Sequence, residues 1–355
     1  MTGSATAVEI HAMRRALELA ALGPFSPNPR VGCVLLADDG TVVAEGYHRG
    51  AGTAHAEADA LDRAGAAAAG ATAVVTLEPC NHTGRTGPCA QRLIAAGVRR
   101  VVFAQADPNP VATGGAQTLR GAGIEVVSGV LAEDSRALNR VWSRALEMQR
   151  PFVTWKLATS IDGRSAAADG TSRWISNMAA RRDTHLLRAE ADTMLVGTNT
   201  VVLDDPLLNV RDQFGHPLAR QPLRAVMGLR DLPAASNVFD PDVARGVAGI
   251  HLRTRDPREA LAELWRLERR HVLLEGGPTL AAAFVRAGLV DETVAYVAPM
   301  FLGAGRNAVA DLGITTISEA LRPRVTDITV LERSPGDPLE EPTIRITLTP
   351  SQETH

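Results

Sequence analysis

Lysine is nearly absent from this chain. Among 37 basic residues Lys156 is the single lysine, and the others are all arginine. Coding bias explains such a preference wherever either cation serves. A site that needs a compact, titratable ammonium cannot use the planar guanidinium instead, so Lys156 is a candidate for chemistry. Cysteine is also scarce, at three in 355 residues. That excludes a disulfide framework and fits a reducing, cytoplasmic compartment. No apolar run is long enough to span a bilayer, and residues 1–10 lack a basic segment followed by an apolar core, so neither a membrane span nor a signal peptide is expected. The formal net charge of −3 argues against a broad nucleic-acid surface.

What is present is concentrated between His55 and Cys89. His55-Ala56-Glu57 is followed by Glu78-Pro79-Cys80 and then Cys89. One imidazole and two thiolates suit a tetrahedral zinc ion with its fourth position open to water. Zinc lowers the pKa of water, and a carboxylate two residues beyond the histidine can shuttle protons to and from it. The H-x-E…P-C…C order is the signature of zinc-dependent base deaminases. Two buried thiols with no metal are the plain alternative. A closed structural zinc site is another; no fourth cysteine is nearby, and His82 could close it. Cys33 lies in the apolar run Val31 to Leu36 and reads as core.

The length suggests two domains. Apolar periodicity predicts a helix over 8–22, strands over 31–37 and 41–46, and a helix opening at His55 with Thr53 as its cap. The Ala/Gly-rich stretch 64–71 is expected to fray. A strand over 73–77 leads to Cys80, and Pro88 opens the helix that carries Cys89. Strands over 100–104 and 125–127 with a helix over 115–122 complete a three-layer α/β pattern. A single connecting helix over 132–149 ends at the boundary Arg150-Pro151. Beyond it, strands over 152–159, 193–197, 223–227, 271–274, 292–298 and 343–349 are expected. Helices ending at Arg188, Leu203, Arg269 and Arg286 separate several of them, with Ser176 or Asn177 capping the first. Residues 229–255 read as loops and short strands.

At this point the motifs are specific. Pro27-Asn28-Pro29-x-Val31-Gly32, His55-Ala56-Glu57 and the run Glu78 to Cys89 resemble the bifunctional riboflavin-biosynthesis deaminase/reductases. So do Lys156-Leu157-Ala158-x-Ser160-x-Asp162-Gly163-Arg164, Trp174-Ile175, Leu203-Asp204-Asp205-Pro206 and Leu274-Glu275-Gly276-Gly277-Pro278. Eight residues separate the two cysteines, a longer gap than nucleic-acid deaminases usually have. The resemblance spans roughly residues 8–348. It implies an α/β protein with an N-terminal three-layer cytidine-deaminase-like domain over 1–149 and a C-terminal dihydrofolate-reductase-like domain over 150–355. The implied reactions are zinc-dependent loss of the 2-amino group from a diaminopyrimidinone ribosyl phosphate, then NADPH-dependent reduction of its ribosyl chain. The implied partner is that small molecule, and a homo-oligomer is expected.

Roles follow residue by residue from the resemblance. His55, Cys80 and Cys89 match the zinc ligands and Glu57 the proton shuttle. Asn28, His48, His82 and Arg85 match substrate contacts, with Arg85 suited to phosphate. In the second half, Ser172, Arg188, Leu208, Arg211 and Glu275 match substrate positions. Ala158, Trp174, Thr200, Asp204 and the backbone of Gly277, Pro278, Thr279, Leu280, Ala281, Ala282 and Ala283 match cofactor positions. A glycine pair opening a helix lets diphosphate approach free N–H groups. Lys156 falls inside the first motif of that half and is expected to be catalytic.

The chain departs from the family pattern twice. Gly87-Pro88 stands where two prolines are common. Met227-Gly228-Leu229-Arg230 stands where an aspartate and a serine commonly meet the cofactor's ribose phosphate, with Arg230 as a possible replacement. A nucleoside or RNA deaminase with an accessory domain is the competing enzyme reading. A zinc-stabilised binding module is the non-enzymatic one, against which Glu57 counts, since a structural zinc needs no proton shuttle.

Overall fold

The computed structural model describes residues 4–351, apart from 26, 82–86, 110–111, 213, 334–335 and 337–340. Contacts divide the chain into two units, Met1–Gln149 and Arg150–His355. Among the described residues no helix is long and apolar enough to cross a membrane.

The first unit begins with α1 (Ala7–Ala21). Thr6 and Glu9 close a capping box at its start: the Thr6 side chain accepts from the Glu9 N–H and Glu9 accepts from the Thr6 N–H. The chain continues through β1 (Gly32–Leu36), β2 (Val42–Tyr47), α2 (Ala56–Ala64), β3 (Thr72–Leu77), α3 (Cys89–Ala95), β4 (Arg100–Gln105), α4 (Gly115–Gly121) and β5 (Glu125–Ser128). The sheet order is β2-β1-β3-β4-β5. β1 is antiparallel to both neighbours, while β3, β4 and β5 are parallel. Strands buried on both faces need apolar residues at every position, and β1 is buried throughout. Cys33 and Leu35 pack with Ala56, Ala60, Ala90, Leu93, Ala116 and Leu119. Val34 and Leu36 pack with Met13, Ala16 and Leu19 of α1 on the opposite face. That is the expected three-layer arrangement.

Two local expectations are corrected. The stretch after α2 does not fray: Gly65–Ala68 forms a 3₁₀ turn and Ala68 is buried. The connecting helix is broken into α5 (Ala132–Leu138) and α6 (Arg140–Met148). Asn139 at the break uses its side chain elsewhere, accepting from the Arg30 N–H at 2.8 Å and donating to the Arg30 carbonyl at 2.9 Å. Asparagine bonds backbone readily, and here that competes with helix continuation. The break therefore pins the loop that carries Asn28.

The second unit contains β6 (Phe152–Ser160), β7 (Arg164–Ala166), α7 (Met178–Glu190), β8 (Thr193–Gly197), α8 (Thr198–Asp204), β9 (Leu223–Met227), β10 (Ile250–Leu252), α9 (Pro257–Arg266), β11 (His271–Leu274), α10 (Pro278–Arg286), β12 (Glu292–Ala298), β13 (Arg306–Asn307), β14 (Arg324–Leu331) and β15 (Thr343–Thr349). The large sheet runs β10-β9-β8-β11-β6-β12-β15-β14. Its first six strands are parallel, and β15 is antiparallel to both β12 and β14. α9 and α10 bury Leu261, Leu264 and Phe284 on one face; Val201 and Leu187 cover the other. Asn177 caps α7, accepting from the Ala180 N–H at 2.9 Å. β14 is absent from the periodicity reading because it is an edge strand, exposed along most of its length.

Residues 229–249 are held from beneath by Arg224. This β9 residue is fully buried. Its guanidinium donates to the carbonyls of Asn237 at 2.8 Å, Asp240 at 2.6 Å and Val247 at 2.6 Å. Burial pushes its pKa down and Asp240 opposes that. Replacing Arg224 by leucine leaves three buried carbonyls without a donor. At about 1–3 kcal/mol for each unmet buried group, Arg224→Leu is expected to destabilise the second unit by roughly 3 kcal/mol or more. It should also open residues 233–247 to protease. Denaturant titration with limited proteolysis measures both, and an unchanged midpoint would show that other contacts hold this segment.

Candidate functional site

In the first unit, His55 is the N-cap of α2. Its backbone is extended and its side chain makes no cap bond, so the imidazole is left for other work. Thr53 is not the cap; its hydroxyl donates to the Gly50 carbonyl at 2.7 Å. The first turn of α2 lies directly on Gly46, where an added Cβ would stand 2.4 Å from the Ala56 carbonyl oxygen. Only glycine permits that approach. Cys80 follows β3, and Cys89 is the first residue of α3. The loop is fastened by backbone: the Ala90 N–H donates to the Cys80 carbonyl and the Cys89 N–H to Cys80 Sγ at 3.4 Å. Glu78 Oε1 accepts from the Ala116 N–H at 2.9 Å. An added Cβ on Gly115 would lie 1.7 Å from the Pro79 carbonyl oxygen, so this turn too requires glycine.

His55 Nδ1 lies 3.6 Å from Cys80 Sγ and 3.3 Å from Cys89 Sγ. The three possible ligand atoms all fall within 4.8 Å of one another. The donor set passes a further test. Cys80 is held below the usual thiol range by hydrogen bonding from Cys89, with help from His55. Cys89 is pushed well above that range, first by its bond to Cys80 and then by burial. Two adjacent buried thiolates conflict, and a divalent cation removes the conflict, so the triad fits zinc.

Glu57 is buried beside the triad. Burial pushes its carboxyl up to about 7, while His55 pulls it down. His48 is buried, and its ring meets that of His55 edge-on at 5.4 Å. Its Nδ1 lies 3.0 Å from the Ala54 carbonyl, which makes Nδ1 the donor. Burial lowers its pKa, so the ring is neutral and Nε2 accepts from Asn28 Nδ2 at 3.0 Å. The structure thus brings Asn28, His48, His55, Glu57, Cys80 and Cys89 together. His82 and Arg85 lie outside the described residues. Asp107 is the buried neighbour that motif reading missed. Burial pushes its carboxyl up to about 6, with Glu78 and Cys80 adding to this and its bond from the Asn109 N–H (2.8 Å) opposing it.

In the second unit, Lys156 on β6, Arg188 on α7 and Glu275 at the end of β11 converge. Arg188 grips Glu275 with both prongs, Nε to Oε1 at 2.7 Å and Nη2 to Oε2 at 2.8 Å. Its Nη1 donates to the Asn209 carbonyl. Burial raises the Glu275 carboxyl, but Arg188 and Lys156 outweigh it and hold the group near 2. Lys156 is itself pushed down by burial and by Arg188, against Glu275. Its Nζ stands 5.6 Å from the centre of the Tyr296 ring, whose hydroxyl donates to Asp183 at 2.6 Å. Arg211 has Nε on Asn209 Oδ1 at 2.9 Å. Tyr296 and Asn209 were not legible as site residues, since neither belongs to a motif.

Other expected positions differ in character. The Leu208 side chain is buried in the core with Val196 and Val226, and its backbone is left-handed at φ 48°. Ser172 is exposed before α7, and Trp174 is exposed beneath the Arg181 guanidinium at 4.3 Å. Thr200 and Asp204 lie on α8 and Ala158 on β6. At α10 an added Cβ on Gly277 would meet nothing within 4 Å, which leaves room over the helix start. The Ala281 N–H already donates to the Gly277 carbonyl, and the side chains of Ala281 and Ala282 are buried. Arg230 reaches Asn199 at the start of α8.

Comparison with known proteins agrees with both halves. Residues 7–105 match the cytidine and deoxycytidylate deaminase zinc-binding region, and residues 151–336 match the RibD C-terminal domain. The chain is 52% identical over 301 residues to the riboflavin biosynthesis protein RibD of Mycobacterium tuberculosis, covering 84% of this chain and 87% of that one. A solved structure of Acinetobacter baumannii RibD is 37% identical with a TM-score of 0.86, covering 97% and 99% of the two chains. That of a Thermotoga maritima diaminohydroxyphosphoribosylaminopyrimidine deaminase/5-amino-6-(5-phosphoribosylamino)uracil reductase is 30% identical with a TM-score of 0.80 and the same coverage. This chain accordingly belongs to the RibD family, the bifunctional deaminase/reductases of riboflavin biosynthesis.

Proposed function

We propose that residues 1–149 deaminate 2,5-diamino-6-ribosylamino-4(3H)-pyrimidinone 5′-phosphate and that residues 150–355 reduce the product's ribosyl chain. The observation that carries this is a His/Cys triad with a buried carboxylate in one unit and a half-buried Lys156–Arg188–Glu275 cluster in the other. Cytoplasmic location rests on the three free thiols. Exposed Val325, Ile328 and Val330 on edge strand β14 support a homo-oligomer. The small net charge supports no nucleic-acid partner, and the lack of a spanning helix among the described residues supports no membrane partner. Incubation with that phosphate and NADPH tests the whole reading: ammonia release and NADPH loss should both occur, and absence of either would remove that half.

In the first step His55, Cys80 and Cys89 would hold zinc, which when bound supplies a Lewis acid that makes water nucleophilic near neutral pH. Glu57 takes a proton from the attacking water and delivers one to the departing 2-amino group. Asn28, oriented by His48, reads the edge of the heterocycle with its remaining amide atoms. His82 and Arg85 complete the substrate contacts, Arg85 at the phosphate.

In the second step NADPH, when bound, would supply a hydride for C1 of the opened sugar chain. The N–H groups of Gly277, Thr279 and Leu280 would meet its diphosphate: they open α10, where among the described residues the first bond into the helix runs from the Ala281 N–H to the Gly277 carbonyl. Ala158, Trp174, Thr200 and Asp204 flank it in this reading, and Arg230 meets the 2′-phosphate. Arg188 commits two of its N–H donors to Glu275 and a third to the Asn209 carbonyl, so Arg211, bonded through Nε to Asn209, is the better phosphate partner. Lys156 presents a compact cation to the polar chain and moves a proton at its Nζ. Ser172 and the Leu208 backbone line the same site.

Three variants test these roles. Glu57→Gln should lower ammonia release by roughly 10²–10⁴-fold with zinc retained and reduction of the deaminated intermediate unchanged. Normal ammonia release would remove Glu57 from the mechanism, and loss of zinc would make it structural. Lys156→Arg should cut reduction by roughly 10–100-fold, as expected for a lost charge-assisted contact of about 1.5–3 kcal/mol. Deamination should be spared, and wild-type NADPH oxidation would demote Lys156. Gly115→Ala should displace Pro79-Cys80, so bound zinc and ammonia release fall together while reduction persists. Full zinc content in that variant would mean the turn yields without moving Cys80.

A further inference from the structure

His185 is a polar group of the second unit that neither motif nor family pattern assigned. It lies on α7 three residues before Arg188, on the same helix face. Its Nδ1 is buried and has no hydrogen-bond partner among the described residues. A buried polar atom left unmet costs about 1–3 kcal/mol, so such atoms in folded proteins call for a reason. The charged groups acting on the ring are Arg188, Glu275 and Arg211, all members of the proposed reductase site. None of them serves Nδ1. Glu275 is engaged with Arg188, and no N–H of either arginine bonds this ring nitrogen among the described residues. Burial and the two arginines push His185 down to about 4, with Glu275 opposing, so the ring is neutral at physiological pH.

A neutral imidazole among cations suits a group that can both donate and accept, and a sugar hydroxyl does both. It does not suit the phosphate, for which Arg211 has spare donors. We propose that His185 is a further substrate-binding residue of the reductase site, with Nδ1 hydrogen-bonded to a hydroxyl of the sugar chain. This rests on the reading of the Lys156–Arg188–Glu275 cluster as that site. Holding the chain at a hydroxyl restricts its rotation and keeps C1 aligned.

The test uses the full-length protein, NADPH and 5-amino-6-(5-phosphoribosylamino)uracil. His185→Phe keeps a ring but removes the nitrogen. It should lower kcat/KM for this substrate by roughly 10-fold or more, with NADPH affinity and ammonia release unchanged. His185→Asn puts an amide near the former Nδ1 and should recover most of the loss, whereas His185→Gln, which reaches the Nε2 position, should not. Wild-type kcat/KM in the phenylalanine variant would overturn the proposal. So would equal loss in the asparagine and phenylalanine variants, or weakened NADPH binding in both, which indicates a structural role. Lys156→Arg run beside them separates the two levels. If it impairs reduction while His185→Phe does not, only His185 is wrong; if neither does, the cluster is not the reductase site.

Discussion

Two cysteine sulfurs and an imidazole nitrogen within 4.8 Å cannot all take their ligand forms in a buried site without a cation. The two thiols are set apart accordingly: the hydrogen bond from Cys89 holds Cys80 below the usual thiol range, while that bond and burial push Cys89 above it. Everything nearby serves to keep the atoms close in spite of that. α2 is seated on a glycine of β2, the Pro79 carbonyl fits against Gly115, and Glu78 ties the turn to α4. These are mostly backbone contacts, so the spacing of the triad is held by the packing of α2, the Cys80 turn and α4. Zinc then finds a set of donors whose mutual repulsion it relieves, and the family's first step depends on that relief.

The second unit handles buried charge differently. Its ions neutralise one another directly. Arg188 and Glu275 form a bidentate pair, with Lys156 close enough to help hold the carboxylate near 2. Breaking one partner of such a pair strands the other, and this typically costs about 3–5 kcal/mol. Arg188 and Glu275 are therefore difficult to separate into binding and architectural residues. Lys156 is not a member of the bidentate pair. It can take part in chemistry without dismantling the pocket, and a mutation there reports on reaction more cleanly than one at Arg188.

How much of this was legible in sequence follows from the range of each interaction. The triad and Glu57 could be read because their residue types are rare and their order is diagnostic. Most strands could be read because the central strands of both sheets are buried on both faces, which yields continuous apolar runs. The family resemblance supplied the reductase positions, and Lys156, Arg188 and Glu275 do meet in space. What escaped was long-range. Asn139 breaks a helix because of Arg30, 109 residues away in sequence. Gly46 and Gly115 look like ordinary glycines until the backbone that crosses them is known. Thr53 had the right chemistry for a cap but bonded within its own turn. β14 carries the alternation of neither a helix nor a half-buried strand, because both of its faces are largely exposed. Leu208 matched a substrate position, yet its side chain is core and only its backbone is available.

The scarcity of lysine acquires a physical sense once the buried cations are compared. Arg224 needs a fork, because three carbonyls converge on it from one loop. Arg188 needs a fork, because a carboxylate presents both oxygens. Neither role asks the cation to give up its proton, and a guanidinium hardly can. Lys156 faces an aromatic ring and the edge of an ion pair, with burial and Arg188 pressing its pKa down. A guanidinium there would remain charged and would demand planar partners that are already engaged. The chain thus uses arginine where a buried cation must hold a shape, and keeps its one lysine where, in the proposed reduction, a buried cation must be small and able to exchange a proton.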